Sequence, residues 1–169
     1  MVEFEAFRQH AVEAIRVAAA EACQTVDKDA IFGFALCTDD DVETIYHAYA
    51  TRQWVADHED GYPEIGFISV EWAQSSSDHL FLPLSQTLRV WAATDERRAP
   101  DFDAGRSMRF QALVEAMKLC RDEGLFDTHT LLCVGSTDPD GLMERLAGNA
   151  GRLLNNEAIA TAYCRALGY

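Results

Sequence analysis

Seven consecutive apolar or glycine residues, Ile31-Phe32-Gly33-Phe34-Ala35-Leu36-Cys37, stop abruptly at Thr38-Asp39-Asp40-Asp41. As a strand, a run that is apolar at every position has no face to offer water, so it belongs in the middle of its sheet. The aspartates that end it suit a turn, because a short carboxylate can bond the backbone just beyond it. The same grammar returns in Thr130-Leu131-Leu132-Cys133-Val134-Gly135-Ser136, which runs into Thr137-Asp138-Pro139-Asp140. Two buried strands with acidic ends therefore constrain the fold more than any other feature.

The segments between them read mostly as helices. Phe4, Phe7, Ala11, Ile15, Ala18, Ala22 and Val26 recur at three- and four-residue steps, with charged residues on the other faces, which predicts an amphipathic helix over 3–26. Residues 44–50, rich in β-formers, predict a second strand that pairs antiparallel with the first as a hairpin. A short helix is expected over 51–60, ended by the turn-forming Gly61-Tyr62-Pro63. Residues 65–70 read as a third strand, Ser75-Ser76-Ser77-Asp78 as a polar loop, and 81–93 as a helix beginning near Pro83. The densely charged stretch 94–103 reads as an exposed connection. A long helix follows over 104–123, with Gly124 as its stop, then the strand over 130–135. Asp138 caps the next helix with Pro139 in its first turn, Gly148 and Gly151 weaken that helix, and Asn155 or Asn156 starts the last one. Helices and strands do not alternate regularly, so the expected class is α+β: one domain over 1–169, a small, mostly antiparallel sheet packed by helices.

A chain of 169 residues is long enough to bury a substantial core without staples. No apolar run approaches the ~20 residues of a membrane span, and the start, Met1-Val2-Glu3-Phe4-Glu5, lacks the basic and apolar regions of a signal peptide. A cytoplasmic protein with no membrane partner is expected. The five cysteines sit mostly in apolar segments, with no Cys-x-x-Cys pair, and read as reduced core thiols. Against 14 basic residues stand 28 acidic ones, a net charge of −14 that opposes phosphate binding and hence a nucleic-acid partner. A basic protein partner fits that charge.

Few constellations carry chemistry. If the strands ending at Cys37 and Cys133 run side by side and parallel, Asp39, Asp40, Asp138 and Asp140 meet at one rim and offer oxygen ligands to a hard cation such as magnesium or calcium. Turn formation and helix capping account for the same aspartates locally. A His-Asp-Ser set can be drawn from His129, Asp127 and Ser136, but no serine lies in a Gly-x-Ser-x-Gly elbow. Glu71 beside Trp72 can be read as an acid of raised pKa, as a contact for a partner's cation, or as a packed indole next to an exposed glutamate. No glycine-rich phosphate loop is present, and no cofactor is expected.

The strand Phe32-Gly33-Phe34-Ala35-Leu36-Cys37-Thr38-Asp39-Asp40-Asp41, with Glu71-Trp72 and Thr137-Asp138-Pro139-Asp140 downstream, resembles a mainly bacterial domain-of-unknown-function family, the one numbered 4303. The resemblance extends over nearly the whole chain. It implies a layout similar to the small immunity-type domains of bacterial toxin neighbourhoods, and with it binding rather than catalysis. The chain departs from the family after Tyr49, where Thr51-Arg52-Gln53-Trp54 replaces an asparagine-rich acidic segment.

The leading expectation is a non-enzymatic acidic binding protein, of immunity type in its most specific form. Its partner-binding face would comprise Asp39, Asp40, Asp41, Asp57, Glu59, Asp60 and Glu64, with Trp54 and Tyr62 as anchors and Glu71 and Trp72 beside them. The alternative is a metal-assisted hydrolase built on the aspartate rim, with Glu71 as general base. A self-associating structural domain is a third reading.

Overall fold

The computed structural model describes residues 2–60, 62–72, 78–98 and 102–169. A 24-residue helix, α1 (Val2–Thr25), opens the chain, followed by β1 (Ile31–Thr38), β2 (Ile45–Thr51) and α2 (Arg52–His58). Two 3-10 turns, Ile65–Phe67 and Ser69–Glu71, lead to a third at Asp78–Leu80 and then to α3 (Leu82–Arg98) and α4 (Phe102–Asp122). The chain finishes with β3 (Leu131–Ser136), α5 (Gly141–Leu154) and α6 (Glu157–Leu167). This is the α+β class that the element order predicts.

The three strands lie in the order β2-β1-β3, which puts the all-apolar β1 in the centre. The sheet is mixed: β1 pairs antiparallel with β2, through Ala35↔Ala48, and parallel with β3, through Ala35↔Cys133. Side chains alternate across the sheet. Phe34, Leu36, Leu132 and Val134 enter a core with Ile15 of α1, Leu88 of α3 and Leu113 and Met117 of α4. Ala35, Cys37, Leu131 and Cys133 enter the opposite core, beneath Trp72 and the α6 residues Tyr163 and Cys164. Both faces of β1 are therefore dry, and burial of Phe34 or Leu36 alone contributes about 1.5–3 kcal/mol.

Residues 65–70 do not form the expected strand. They fold into the two 3-10 turns and lie across the second face of the sheet, with Phe67 against Phe32 at 6.2 Å between ring centroids. The apolar character of the segment serves as a lid over that face rather than as another rung. Gly66 is buried here, where a side chain would meet Val55 at 3.0 Å.

Other boundaries differ for local reasons. Residues 94–98, expected in a connection, continue α3 as far as Arg98, and residues 99–101 of that stretch lie outside the described residues. So do Gly61 of the expected turn and Ser75-Ser76-Ser77 of the expected loop. The cap of α5 is Asp140 rather than Asp138: its carboxylate accepts from the Leu142 and Met143 N–H groups at 3.0 and 2.9 Å. Gly148 and Gly151 do not interrupt α5, because they are contact points. A Cβ on Gly151 would stand 2.5 Å from Tyr163 Cδ1, so the helix gives up some intrinsic stability there for close approach to α6. Asn156 caps α6 through Ile159 N at 3.0 Å, and Gly124, at φ +77°, follows α4 in the left-handed conformation expected of a stop.

Candidate functional site

Parallel pairing of β1 with β3 brings the two acidic strand ends together. The register runs through Thr38↔Ser136, and Thr137 N donates to Thr38 O at 2.9 Å just beyond it. The rim foreseen for Asp39, Asp40, Asp138 and Asp140 thus exists, but a guanidinium occupies it. Arg106 of α4, only 5% exposed, donates from Nε to Asp40 O at 2.7 Å and from Nη1 to Asp140 Oδ2 at 2.8 Å. Arg109, one turn further along, donates to Asp41 O at 2.9 Å.

The carboxylates themselves are committed to the backbone. Asp39 accepts from Glu43 N at 2.8 Å and from the Thr44 hydroxyl at 2.5 Å, closing the hairpin turn. Within that turn Val42 is buried at φ +56°, a conformation a β-branched residue rarely adopts and one that costs on the order of 1–3 kcal/mol. The bonds from Arg109 and to Asp39 hold it there. The hydrogen bond from Arg106, followed by that from Met143 N, brings Asp140 down to a pKa of about 2. Asp41 moves the other way: burial, then the neighbouring Asp40, raises its pKa against the pull of Arg106 and Arg109. Asp138 is exposed. Among the described residues no group of three or more His, Cys, Asp or Glu side chains is arranged to hold a metal ion. The rim is a joint between β1, β3, α4 and α5 whose charge two arginines partly compensate; the sequence foresaw it as a gathering of acids but without its arginines.

The acidic face expected from Asp39 through Glu64 divides in two. Because β1 and β2 are antiparallel, the Asp39–Asp41 turn and α2 lie at opposite ends of the hairpin, on the order of 20 Å apart for strands of this length. Asp57, Glu59 and Asp60 are exposed at the α2 end, Glu64 is half-buried, and Tyr62 is 50% exposed. The pairing Ile31↔Thr51 and the bond from Arg52 Nε to Asp29 O at 3.2 Å bring exposed Asp27 and Asp29 to the same end. These two were not among the candidates. The hairpin itself was the signal for them, since residues just before β1 must neighbour those just after β2.

Trp54 is half-buried and stacks on His58 at 4.4 Å between centroids. Trp72 does not belong to any surface: it is 2% exposed, and a Cβ on Gly33 would lie 2.5 Å from its Cη2. Glu71 beside it is exposed, at the end of a 3-10 turn rather than of a strand. The set His129, Asp127 and Ser136 is not assembled. His129 N bonds Asp127 before β3 begins, whereas Ser136 ends that strand, about 20 Å away.

The buried thiols are not poised for chemistry either. Cys37, Cys120, Cys133 and Cys164 are buried, Cys23 is exposed, and all five are free. Burial pushes Cys37 up to about 11 and Cys120 up to about 12, so neither supplies a thiolate near neutrality.

Together these features define a helix-covered α+β domain with an arginine-closed strand rim and an acidic hairpin end. Residues 12–156 match the family described as Domain of unknown function (DUF4303), and the chain belongs to that family. No curated protein and no solved structure matches the chain. No helix among the described residues is long and apolar enough to cross a membrane.

Proposed function

We propose that the protein is a non-enzymatic acidic binding protein that receives a basic protein partner, with an immunity-type role as its specific form. The observation that carries this reading is the α2 end of the hairpin, where Asp27, Asp29, Asp57, Glu59 and Asp60 are all exposed. Asp57 accepts from Gln53 Nε2 at 2.7 Å, which leaves its charge uncompensated, and neither Glu59 nor Asp60 has an ion pair among the described residues. These five acids outnumber the exposed Lys28 and Arg52 at the same end, and the net negative charge favours fast capture of a cationic surface and penalises an acidic one. Tyr62, half exposed beside it, supplies the flat amphipathic contact that interfaces use as an anchor. The metal-assisted alternative loses support because Asp39 and Asp140 spend both carboxylate oxygens within the fold and Arg106 supplies the cation.

Affinity capture from the native cell, at low and at moderate salt, tests the proposal. A basic protein should be recovered with the wild type, less of it as salt rises, and little with the triple variant Asp57→Asn, Glu59→Gln, Asp60→Asn. Recovery of no partner, or of a neutral one held equally by the variant, overturns it.

A further inference from the structure

A second candidate site lies on the face of the sheet that α2 also covers, but towards the opposite end of the strands. A cavity of about 300 Å³ opens at the carboxyl end of β3, roofed by the 3-10 turns and walled by α5 and α6. That size is the lower limit for small-molecule pockets. Crevices at the carboxyl ends of parallel strands are natural ligand positions, because the chain leaves adjacent strands in different directions there.

Its lining is specific in two respects. No charged side chain contributes to it, in a chain of net charge −14. Three aromatic rings do: Phe67 and Tyr169 stand edge-on to Tyr163, with centroids 6.4 and 6.1 Å away. Such walls suit the flat faces and edges of another ring.

The polar groups of the cavity are under-used. Tyr163 is 2% exposed as a residue, and its phenol makes no hydrogen bond among the described residues, so its proton is available to donate. Ser69, 7% exposed, accepts from the Cys37 thiol at 3.6 Å, and the Cys133 thiol is its other neighbour. Sulfur is a weak acceptor, so the Ser69 hydroxyl proton is free to turn to a better one. Ser136 accepts from Asp138 N at 3.4 Å and likewise keeps its proton to donate. Hydroxyl protons of Ser69 and Tyr163 are thus available in a cavity with no charged side chain and three aromatic rings.

We infer that this cavity binds a small, uncharged aromatic or heteroaromatic molecule bearing a carbonyl or ring-nitrogen acceptor, with the ring among Phe67, Tyr163 and Tyr169 and the acceptor at Ser69 and Tyr163. A carboxylate is excluded, because nothing in the lining neutralises it and its desolvation goes uncompensated.

Titration of the full chain with benzamide, followed by saturation-transfer NMR and calorimetry, tests the inference, with benzoate as the charged control. Saturable benzamide binding, weakened about tenfold by Tyr163→Phe, as loss of one hydrogen bond dictates, supports it. Thr137→Trp, at an exposed position of the wall, should abolish binding without lowering the melting temperature. Tyr163→Phe should not lower it either, because the hydroxyl it removes has no partner to lose. Failure of benzamide to saturate, unchanged binding in Thr137→Trp, or equal binding of benzoate overturns the inference.

Discussion

Arg106 Nη1 lies 2.8 Å from Asp140 Oδ2, and this one contact converts a rim of carboxylates into a structural joint. The same guanidinium bonds the Asp40 carbonyl at 2.7 Å and Asp103 at 3.3 Å, so three separate stretches of chain converge on one side chain. Replacing it removes the Asp40 carbonyl's bond to Arg106 and the charge that faces Asp140. Arg106→Met, which keeps the apolar stem, should destabilise the protein by about 2 kcal/mol, measured by urea unfolding. Millimolar magnesium or calcium should leave the melting temperature of the wild type unchanged; a metal-dependent rise would return the carboxylates to a cation-binding role.

Asp140 and Asp41 should give opposite pH signatures. The folded pKa of Asp140, about 2, lies below its ordinary 3.8. Its stabilisation is therefore present above pH ~4 and fades as pH falls from there towards 2. Asp140→Asn should melt lower than wild type at pH 7, with the gap closing near pH 2. Asp41 is raised, by burial first and by Asp40 next, so its ionisation opposes folding. The penalty is absent below the ordinary carboxylate value and present once pH exceeds the folded one. Asp41→Asn should melt higher than wild type at pH 7 and converge with it by pH ~3. Thermal melts of both variants across pH 2–7 check the two signs together.

Residue pattern alone made β1 legible, because an uninterrupted apolar run bounded by turn residues has few other places to go. The gathering of Asp39, Asp40, Asp138 and Asp140 was legible as a condition on strand pairing, and that condition holds. Hidden from the sequence was the identity of the rim's counter-charge. Arg106 and Arg109 read as ordinary helix charges, three residues apart, until α4 is laid against the β1–β2 turn and they become neighbours of the backbone 66 and 68 residues earlier. The segment from Ile65 to Trp72 failed for a different reason: its β-branched and aromatic residues satisfy burial against a sheet face as well as pairing within one, and periodicity does not distinguish the two. The division of the acidic face into two ends, and the place of Asp27 and Asp29 beside α2, follow from the antiparallel hairpin itself.

Gly33 and Trp72 pack tightly in the second core. A Cβ on Gly33 would approach three indole carbons, at 2.5, 3.0 and 3.2 Å. The indole is held edge-on by Phe32, at 6.5 Å and 84°, and is buried. Alanine gains β-strand entropy over glycine but must displace the ring. The steric term should win, with Gly33→Ala destabilising by about 1–3 kcal/mol. Tryptophan emission should shift to the red as the indole moves towards solvent. An unchanged spectrum and a higher melting temperature would mean that the lid residues around Trp72 yield freely.

β3 is an edge strand, and Asn155 covers part of its open side. Its Oδ1 accepts from Leu132 N at 2.8 Å and its Nδ2 donates to Leu132 O at 2.7 Å, so one amide side chain imitates a rung of a fourth strand. The same Nδ2 also reaches Gly151 O at 2.9 Å, while Arg121 bonds Leu154 O at 3.1 Å and Thr130 O at 2.5 Å, tying the end of α5 to the start of β3. Asn155→Ala orphans both backbone groups of the buried Leu132, and removing one partner of a buried hydrogen bond costs the full desolvation of the other. The expected loss is about 2–4 kcal/mol for the two groups, with the Leu132 amide the most affected in hydrogen exchange. If exchange at Leu132 stayed as slow as in the wild type while global stability fell, the asparagine would be acting through Arg121 and the α5 terminus instead of guarding the edge of the sheet.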